Sequence, residues 1–301
     1  MEDWINTEEM RDQENERIRR EEIAKNIGIF KTETKDIFGF LKNYAPLKPW
    51  QQDVIAMLYN EAMYFAPQRM TKMINEGMAS FGDTQIMARY GFAEGEGIFD
   101  YAKHKAGVLG GKYSSNPYKL GYSLLTEIEE RWNKGRFGRD YESCDDVKLR
   151  ENWDTKLGMG MEKVFEVVKY YDDVLLLSEF FDADFCHKNQ FFTWELRPNG
   201  NYEIVDRDPD RIKKTLIQSR LNGGLPEIKL VDHNHRGRGI MLLEHSWDGR
   251  TLHPAKTKET VRAISELWKN QVALVSRDVQ NREIIYSCED GQSVEVKYTE
   301  R

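Results

Sequence analysis

The chain has 301 residues, of which 40% are hydrophobic and 32% are charged, and its formal net charge is −7. This length allows one large domain or two ordinary ones, and the acidic balance gives a nucleic-acid-binding role no overall support. The apolar runs stay far below the ~18 residues that a membrane span needs, so we expect no membrane span.

The cysteines and the N-terminus indicate the compartment. Cys144, Cys186 and Cys288 are odd in number, far apart and without CxxC spacing. This pattern favours idle thiols in a reducing cytoplasm over disulfides or a Cys-based zinc site. The first 20 residues are dense in charge and have no apolar core of a signal peptide. We therefore expect a cytoplasmic protein that begins with a charged helical arm over residues 1–34.

Apolar residues at helical spacing dominate residues 35–188, which predicts a helical part. Pro49 suits a helix start, and Pro67 is expected to end that helix after Ala66. Asn116 followed by Pro117 is typical of a helix N-terminus. The further helices are expected over residues 37–41, 68–90, 98–105, 118–133, 161–171 and 174–181.

The pattern changes in residues 189–301, where short β-rich runs alternate with helical spacing. Strands are predicted over 191–196, 202–205, 227–232, 239–245 and 272–276, with helices over 209–221 and 256–270 and a terminal hairpin over 283–298. This order is the βαββαβ signature of a ferredoxin-like arrangement. The predicted fold class is therefore α+β, with a helical N-terminal part followed by a ferredoxin-like part that ends in a hairpin.

The helix expected around residue 76 carries the residues of most chemical interest. Lys72, Asn75, Glu76 and Ala79 share one helical face. Gly77 in mid-helix costs about 1 kcal/mol relative to Ala, a cost that is accepted where something approaches the backbone closely. Glu76 facing a ligand or a metal is one interpretation, and a surface Glu76 paired with Lys72 is the other.

Several segments, in one order along the chain, closely resemble the SpoVR family (stage V sporulation protein R), in its C-terminal portion. The resemblance runs from about residue 35 to about residue 271. The segments that carry it include WQQD at 50–53, YFAPQ at 64–68, TKMINEGMAS at 71–80, NPYKLG at 116–121, IEERWNKGRFG at 128–138 and YEIVDRD at 202–208.

The run NEGMASF at residues 75–81 also resembles the NEGxAS segment of gluzincin metallopeptidases. That resemblance implies a gluzincin-like helix with Glu76 as a zinc ligand, and a zinc-bound water could then attack an amide. Members of the SpoVR family resemble this gluzincin arrangement, because they carry a histidine pair upstream of the motif and a Trp-His after it. Here Gly82-Asp83 stands in place of Trp-His, so Asp83 is the substitute ligand. No HExxH occurs, so zinc is doubtful in the isolated chain.

The family resemblance also implies further site residues. His104 lies in a segment similar to one in the family, which makes it a candidate acid/base group near Glu76, although a surface His between two lysines is the alternative. Asn116, Tyr118 and Lys119 match another family motif and join Lys72 and Asn75 as candidate binding residues. An ordinary helix cap is the alternative role for Asn116.

Two functions remain open from the sequence. The first is part of a metal-dependent hydrolase of amide bonds, related to peptidoglycan, whose missing N-terminal histidine half comes from a separate polypeptide. The second is a non-catalytic binding or regulatory module of a sporulation or stress-response complex. The resemblance implies an AAA+ serine-kinase-like protein and a von Willebrand A-type protein as partners of such a complex.

Overall fold

The computed structural model describes residues 34–111, 113 and 116–299. These residues form two compact units, one from residues 34–64 and 226–299 and the other from residues 65–225. The units do not follow chain order, so they divide the chain differently from the three consecutive segments 1–34, 35–188 and 189–301. All of the expected arm except Thr34 lies outside the described residues.

Helices and strands both contribute, which confirms the α+β fold class. The helices are α1 (Ile37–Tyr44), α2 (Pro49–Met70), α3 (Lys72–Thr84), α4 (Gly97–Leu109), α5 (Pro117–Lys134), α6 (Arg139–Glu142), α7 (Val147–Glu151), α8 (Gly160–Tyr170), α9 (Asp173–Phe180), α10 (Ala183–Lys188), α11 (Pro209–Arg220) and α12 (Pro254–Trp268). The strands are β1 (Thr193–Leu196), β2 (Tyr202–Asp206), β3 (Ile228–His235), β4 (Ile240–His245), β5 (Val272–Arg277), β6 (Glu283–Cys288) and β7 (Glu295–Tyr298). A π-helical segment, Gln85–Arg89, follows α3, and a 3₁₀ turn, Leu221–Gly224, follows α11.

Local sequence signals set both ends of α5. The Asn116 side chain accepts a hydrogen bond from the Lys119 amide at 2.8 Å, and Pro117 occupies the first helical turn. Gly135 ends the helix in the left-handed region at φ 66°, where a residue without a Cβ atom avoids a steric cost. The predicted start and end of this helix are confirmed.

The helix that begins at Pro49 does not end before Pro67. It continues through Pro67 to Met70, and Thr71 separates it from α3 with φ −113°. A proline inside a helix removes one backbone donor, here the one that would serve the Met63 carbonyl. Both Pro67 and Met63 are exposed, so water can bond that carbonyl. The expected break was therefore placed a few residues too early, and the next helix begins at Lys72 rather than at residue 68.

The unit of residues 65–225 has a core made by its helices. The largest fully buried side chains include Phe81 on α3, Leu124 on α5 and Phe181 after α9. The β1–β2 hairpin and α11 belong to this unit, and Ile212 of α11 is part of the same core.

The other unit is built around a five-stranded sheet in the order β3-β4-β5-β6-β7. All neighbours are antiparallel except β4 and β5, which are parallel and are joined by α12. A parallel pair requires such a crossover connection. The core of this unit includes Met241, Val261 and Val272, and the predicted terminal hairpin is confirmed as β6–β7.

The ferredoxin-like arrangement expected for the second part is wrong. The first two predicted strands, β1 and β2, pair only with each other among the described strands and form a separate two-stranded sheet. The five remaining strands lie in chain order rather than interleaved. The physical reason is that the helix after the hairpin, α11, buries Ile212 among the helices, so the hairpin and α11 supply no layer to the larger sheet.

Within the described residues, no helix combines the length and apolar character that crossing a membrane requires.

Candidate functional site

Helices α3 and α5 touch backbone to backbone at a pair of glycines. A Cβ atom on Gly77 would lie 2.5 Å from the carbonyl carbon of Gly121, and one on Gly121 would lie 2.3 Å from the carbonyl oxygen of Met73. Both separations are far below van der Waals contact, so any larger residue would push the helices apart. The close neighbour expected beside Gly77 is therefore α5, and the propensity cost of this glycine has a packing explanation.

A buried carboxylate holds the N-terminus of α3. Asp173, 1% exposed, accepts hydrogen bonds from the backbone amides of Met73 at 2.8 Å and Ile74 at 3.0 Å. These amides belong to the first turn of α3, which has no intrahelical acceptors. Burial raises the pKa of Asp173 above its ordinary value, and the two amide bonds oppose that rise. Sequence reasoning missed this residue because its partners lie about 100 residues away.

Glu76 lies half-buried on α3 and meets α5 through Tyr118. The Tyr118 hydroxyl donates a hydrogen bond to the Glu76 carboxylate, and this bond is the main reason that the pKa of Tyr118 is raised. Lys72 and Asn75 are exposed, and the Asn75 amide donates to the Thr71 hydroxyl at 3.1 Å. The structure thus brings together two of the predicted site residues, Glu76 and Tyr118.

Asp83, one helical stretch further along α3, is held by donors from α4. The Tyr101 hydroxyl donates to its carboxylate at 3.0 Å, and the Lys105 ammonium does so at 3.2 Å. Lys105 also donates to the Ser80 carbonyl, and its Nζ atom lies 4.9 Å from the centroid of the Tyr122 ring. The pKa of Tyr101 is raised, chiefly by burial and further by Asp83. Asp83 therefore accepts hydrogen bonds from a hydroxyl and an ammonium group of α4, and these bonds link α4 to α3. We call this arrangement the Lys105 clip.

His104 has an exposed side chain on α4 and no hydrogen-bond or ion-pair partner in the part of the chain that the structure describes. The α4 side chains that contact α3 include those of Tyr101 and of the next residue after His104, Lys105. An acid/base role for His104 beside Glu76 therefore stays a prediction without a supporting contact.

The other two candidate binding residues tie down the connection between α4 and α5. The Asn116 side-chain amide donates to the carbonyls of Val108 at 3.1 Å and Leu109 at 3.2 Å while its oxygen caps α5. The Lys119 ammonium donates to the Gly111 carbonyl at 3.3 Å, and burial lowers the pKa of Lys119. The predicted cap role of Asn116 is confirmed, and a ligand-binding role for either residue stays a prediction.

A buried acid that sequence reasoning missed lies at the far end of the α3–α5 contact. Glu129, 5% exposed, accepts from the Gln85 amide at 3.3 Å and forms an ion pair with Arg89. Gln85 and Arg89 are the first and last residues of the π-helical segment, a geometry that often marks functional sites. Glu129 is buried because side chains of the π-helical segment cover it.

The predicted ligands Glu76 and Asp83, taken with the other described residues, do not form a zinc site by themselves. Glu76 is bonded by a hydroxyl and Asp83 by an ammonium, and a cation placed at Asp83 would meet the like charge of Lys105. In residues 34–111, 113 and 116–299, no group of three or more His, Cys, Asp or Glu side chains is arranged to hold a metal ion. Cys186 and Cys288 are buried free thiols, and Cys144 is partly exposed.

The chain is thus an α+β protein. Its helical unit contains α3, whose carboxylates Glu76 and Asp83 are hydrogen-bonded by side chains of neighbouring helices. Comparison with family models assigns it: the model described as "SpoVR like protein" matches residues 1–225, and that of the "SpoVR-like C-terminal domain" matches residues 226–279. The chain belongs to the SpoVR family. The motifs had predicted a resemblance confined to the family's C-terminal portion and to residues 35–271. The match is wider than that, because it begins at residue 1.

The chain is similar to "Uncharacterized protein YcgB" of Escherichia coli (strain K12), with 22% identity over 258 residues. The matched region is 80% of this chain and 49% of that protein, so the chain spans about half the length of the curated relative that it matches. No solved structure matches this chain.

Proposed function

We propose that this chain is a non-catalytic binding module of a SpoVR-family complex that serves sporulation or a stress response. One observation carries the proposal: the acidic group of the NEGMASF segment, and that of Asp83 two residues after it, are engaged by donors from the same chain. Tyr118 bonds Glu76, and Lys105 with Tyr101 bonds Asp83. In this arrangement both carboxylates fasten α4 and α5 to α3, which is a structural use of the segment.

The partners that fit the proposal are proteins rather than nucleic acids. A net charge of −7 disfavours a polyanion. The candidates are the AAA+ serine-kinase-like and von Willebrand A-type proteins that the family resemblance implies, and a polypeptide corresponding to the part of longer relatives that this chain does not match.

Light scattering during size-exclusion chromatography tests this function with the purified chain and each purified candidate from the same organism. A stable complex is expected with at least one candidate, and Glu76→Gln is expected to leave its stoichiometry unchanged because the glutamine oxygen can still accept the Tyr118 hydrogen bond that Glu76 accepts within the module. Failure of every candidate to bind, or loss of the complex in Glu76→Gln alone, would count against the proposal.

A second candidate function is the amide hydrolase that obtains its histidines from another polypeptide. It is favoured by the placement of Glu76, which is half-buried beside the closest approach of α3 and α5 and has one hydroxyl donor. Metal analysis of the purified complex separates the two functions. If the chain is part of a hydrolase, the complex contains zinc that is lost in the Glu76→Gln variant. The matched control is Glu61→Gln, which changes an exposed glutamate of α2 and should retain the zinc.

A further inference from the structure

The helical unit contains a cleft of about 390 Å³ near the C-terminal end of α5, lined also by residues of α6, α7 and α9. Its volume lies within the range of small-molecule sites, roughly 300–1,000 Å³. The cleft includes part of the IEERWNKGRFG segment, which the function proposed above does not use. The residues that line it are Arg131, Trp132, Arg136, Phe137, Tyr141, Glu142, Arg150, Glu179, Phe180, Asp182 and Asp184.

Aromatic rings form an apolar wall of this cleft. Trp132 stacks on Phe137 with ring centroids 4.8 Å apart and an angle of 14° between the ring planes. The edge of Phe180 meets Trp132 at 5.8 Å. Phe137 is only partly buried, so some of its surface is open to a ligand. Such a wall suits a flat or apolar group.

Two guanidinium groups of the cleft have no carboxylate bonded to them in the described part of the chain. Arg136 donates to the backbone carbonyls of Trp153 at 3.0 Å and Glu151 at 2.6 Å, which satisfies N–H groups and leaves the positive charge unpaired. The guanidinium of Arg150 lies 5.1 Å from the centroid of the Tyr141 ring and is exposed. Arginine binds carboxylates in a bidentate manner, so this side of the cleft suits an anionic end group.

Acidic side chains supply the opposite charge. Glu179 accepts a hydrogen bond from the Tyr171 hydroxyl at 2.7 Å and is exposed. Neither Glu179 nor the exposed Glu142 forms an ion pair within the described residues. Arg131, by contrast, is paired with Asp182 at 2.5 Å. The lining therefore carries three arginines and four carboxylates, a near balance that disfavours a polyphosphate and suits a ligand with both charges.

We propose that this cleft binds a short peptide or an amino-acid ligand with a free amine and a free carboxylate. The carboxylate lies against Arg136 and Arg150, and the amine lies against Glu179 and Glu142. An apolar side chain of the ligand packs on Phe137, because the faces of the Trp132 ring are covered by Phe137 and by the Lys163 ammonium, 5.2 Å from its centroid. The inference uses no residue of the Glu76 region and stands or falls separately from the function proposed above.

Four dipeptides with free termini, Ala-Phe, Phe-Ala, Ala-Ala and Lys-Phe, probe the cleft by saturation-transfer NMR and by calorimetric titration of the whole chain. Each is compared with its N-acetylated and its C-amidated form. At least one free dipeptide is expected to bind, with the aromatic ones bound more tightly than Ala-Ala. Blocking either end is expected to weaken binding about tenfold or more, because a charge-assisted hydrogen bond contributes that much.

Two charge-removing variants assign the ends of the ligand. Arg150→Gln is expected to weaken the free dipeptide but not its C-amide, and Glu179→Gln to weaken the free dipeptide but not its N-acetyl form. Lys148→Gln is the matched control, since Lys148 is an exposed residue of α7 outside the cleft lining. Lack of binding by all four dipeptides, equal binding of blocked and free forms, or an equal effect of Lys148→Gln would overturn the proposal.

Discussion

Alanine at two glycines of α3 tests the backbone contact that positions Glu76. A Cβ atom on Gly77 would lie 2.5 Å from the carbonyl carbon of Gly121, whereas one on Gly82 would meet nothing within 4 Å. Both glycines lie inside the same helix. The pair of variants Gly77→Ala and Gly82→Ala therefore separates the intrinsic helix propensity of alanine from its fit against α5.

The two magnitudes follow from the structure. Replacing a helical glycine by alanine in open space stabilises a helix by about 0.5–1 kcal/mol, which is the expectation for Gly82→Ala. The Gly77 Cβ atom would overlap its neighbour by about 1 Å relative to an optimal contact. Overpacking costs about 1–3 kcal/mol, and a backbone neighbour cannot change rotamer, so the upper end applies. After the propensity gain, Gly77→Ala is expected to lose about 2 kcal/mol.

Thermal and urea unfolding of the whole chain measure these changes. For a unit of this size, a loss of about 2 kcal/mol lowers the midpoint temperature by about 4–8 °C. The shift of α3 should also separate Glu76 from Tyr118, so the Tyr118 pKa should fall in NMR titrations of Gly77→Ala and not of Gly82→Ala. A Gly77→Ala variant as stable as the wild type, or equal destabilisation by Gly82→Ala, would refute the packing argument.

Three further predictions concern charged groups. Asp173→Ala leaves two buried amides without an acceptor, so urea unfolding should show a loss of about 3–5 kcal/mol. Lys105→Met should cost only about 1 kcal/mol in the same assay, because the side chain of Asp83 is 43% exposed. Bonds from Lys134 and Lys188 lower the pKa of Glu130 to about 2 from 4.5. The stability that these two ion pairs contribute is present above pH 4.5 and is lost as the pH falls towards 2. In acid unfolding, the difference in free energy of unfolding between the wild type and Lys188→Gln should therefore shrink across that window.

Each of these has its own control. Asp172→Ala removes only the N-terminal cap of α9, a bond of 2.7 Å to the Leu175 amide, and should cost about 1 kcal/mol. A cost equal to that of Asp173→Ala would contradict the anchoring role of Asp173. Lys103→Met, exposed on α4, should leave stability unchanged, and a matching loss there would remove the case for the Lys105 clip. A constant difference between wild type and Lys188→Gln from pH 5 to pH 2 would contradict the Glu130 assignment.

Local signals in the sequence predicted much of the secondary structure. Asn116 and Pro117 mark the start of α5 and Gly135 its end, because a cap and a left-handed residue act within one helical turn. The terminal hairpin follows from alternating residues around a tight turn at Glu289-Asp290-Gly291. Pro67 was misjudged because tolerance of a missing backbone donor depends on whether water reaches the carbonyl that loses it.

Candidate site residues could be found by type but not by environment. Glu76 stands out in the sequence, but its partner Tyr118 and the clip of Asp83 by Lys105 depend on how α3, α4 and α5 pack. Glu127, Glu129 and Glu130 cannot be told apart by residue type in the sequence. Only Glu129 is buried, since the π-helical segment covers it.

The sequence by itself determined the family, the α+β class and the positions of caps and turns, because these depend on residue types within short stretches. Tertiary structure alone decided that β1 and β2 stay out of the larger sheet, that Gly77 meets Gly121 and that Asp173 holds the start of α3. These contacts join residues tens to about a hundred positions apart. Such pairs are selected by the close packing of whole helices and strands. The local periodicity of a chain carries no information about that packing.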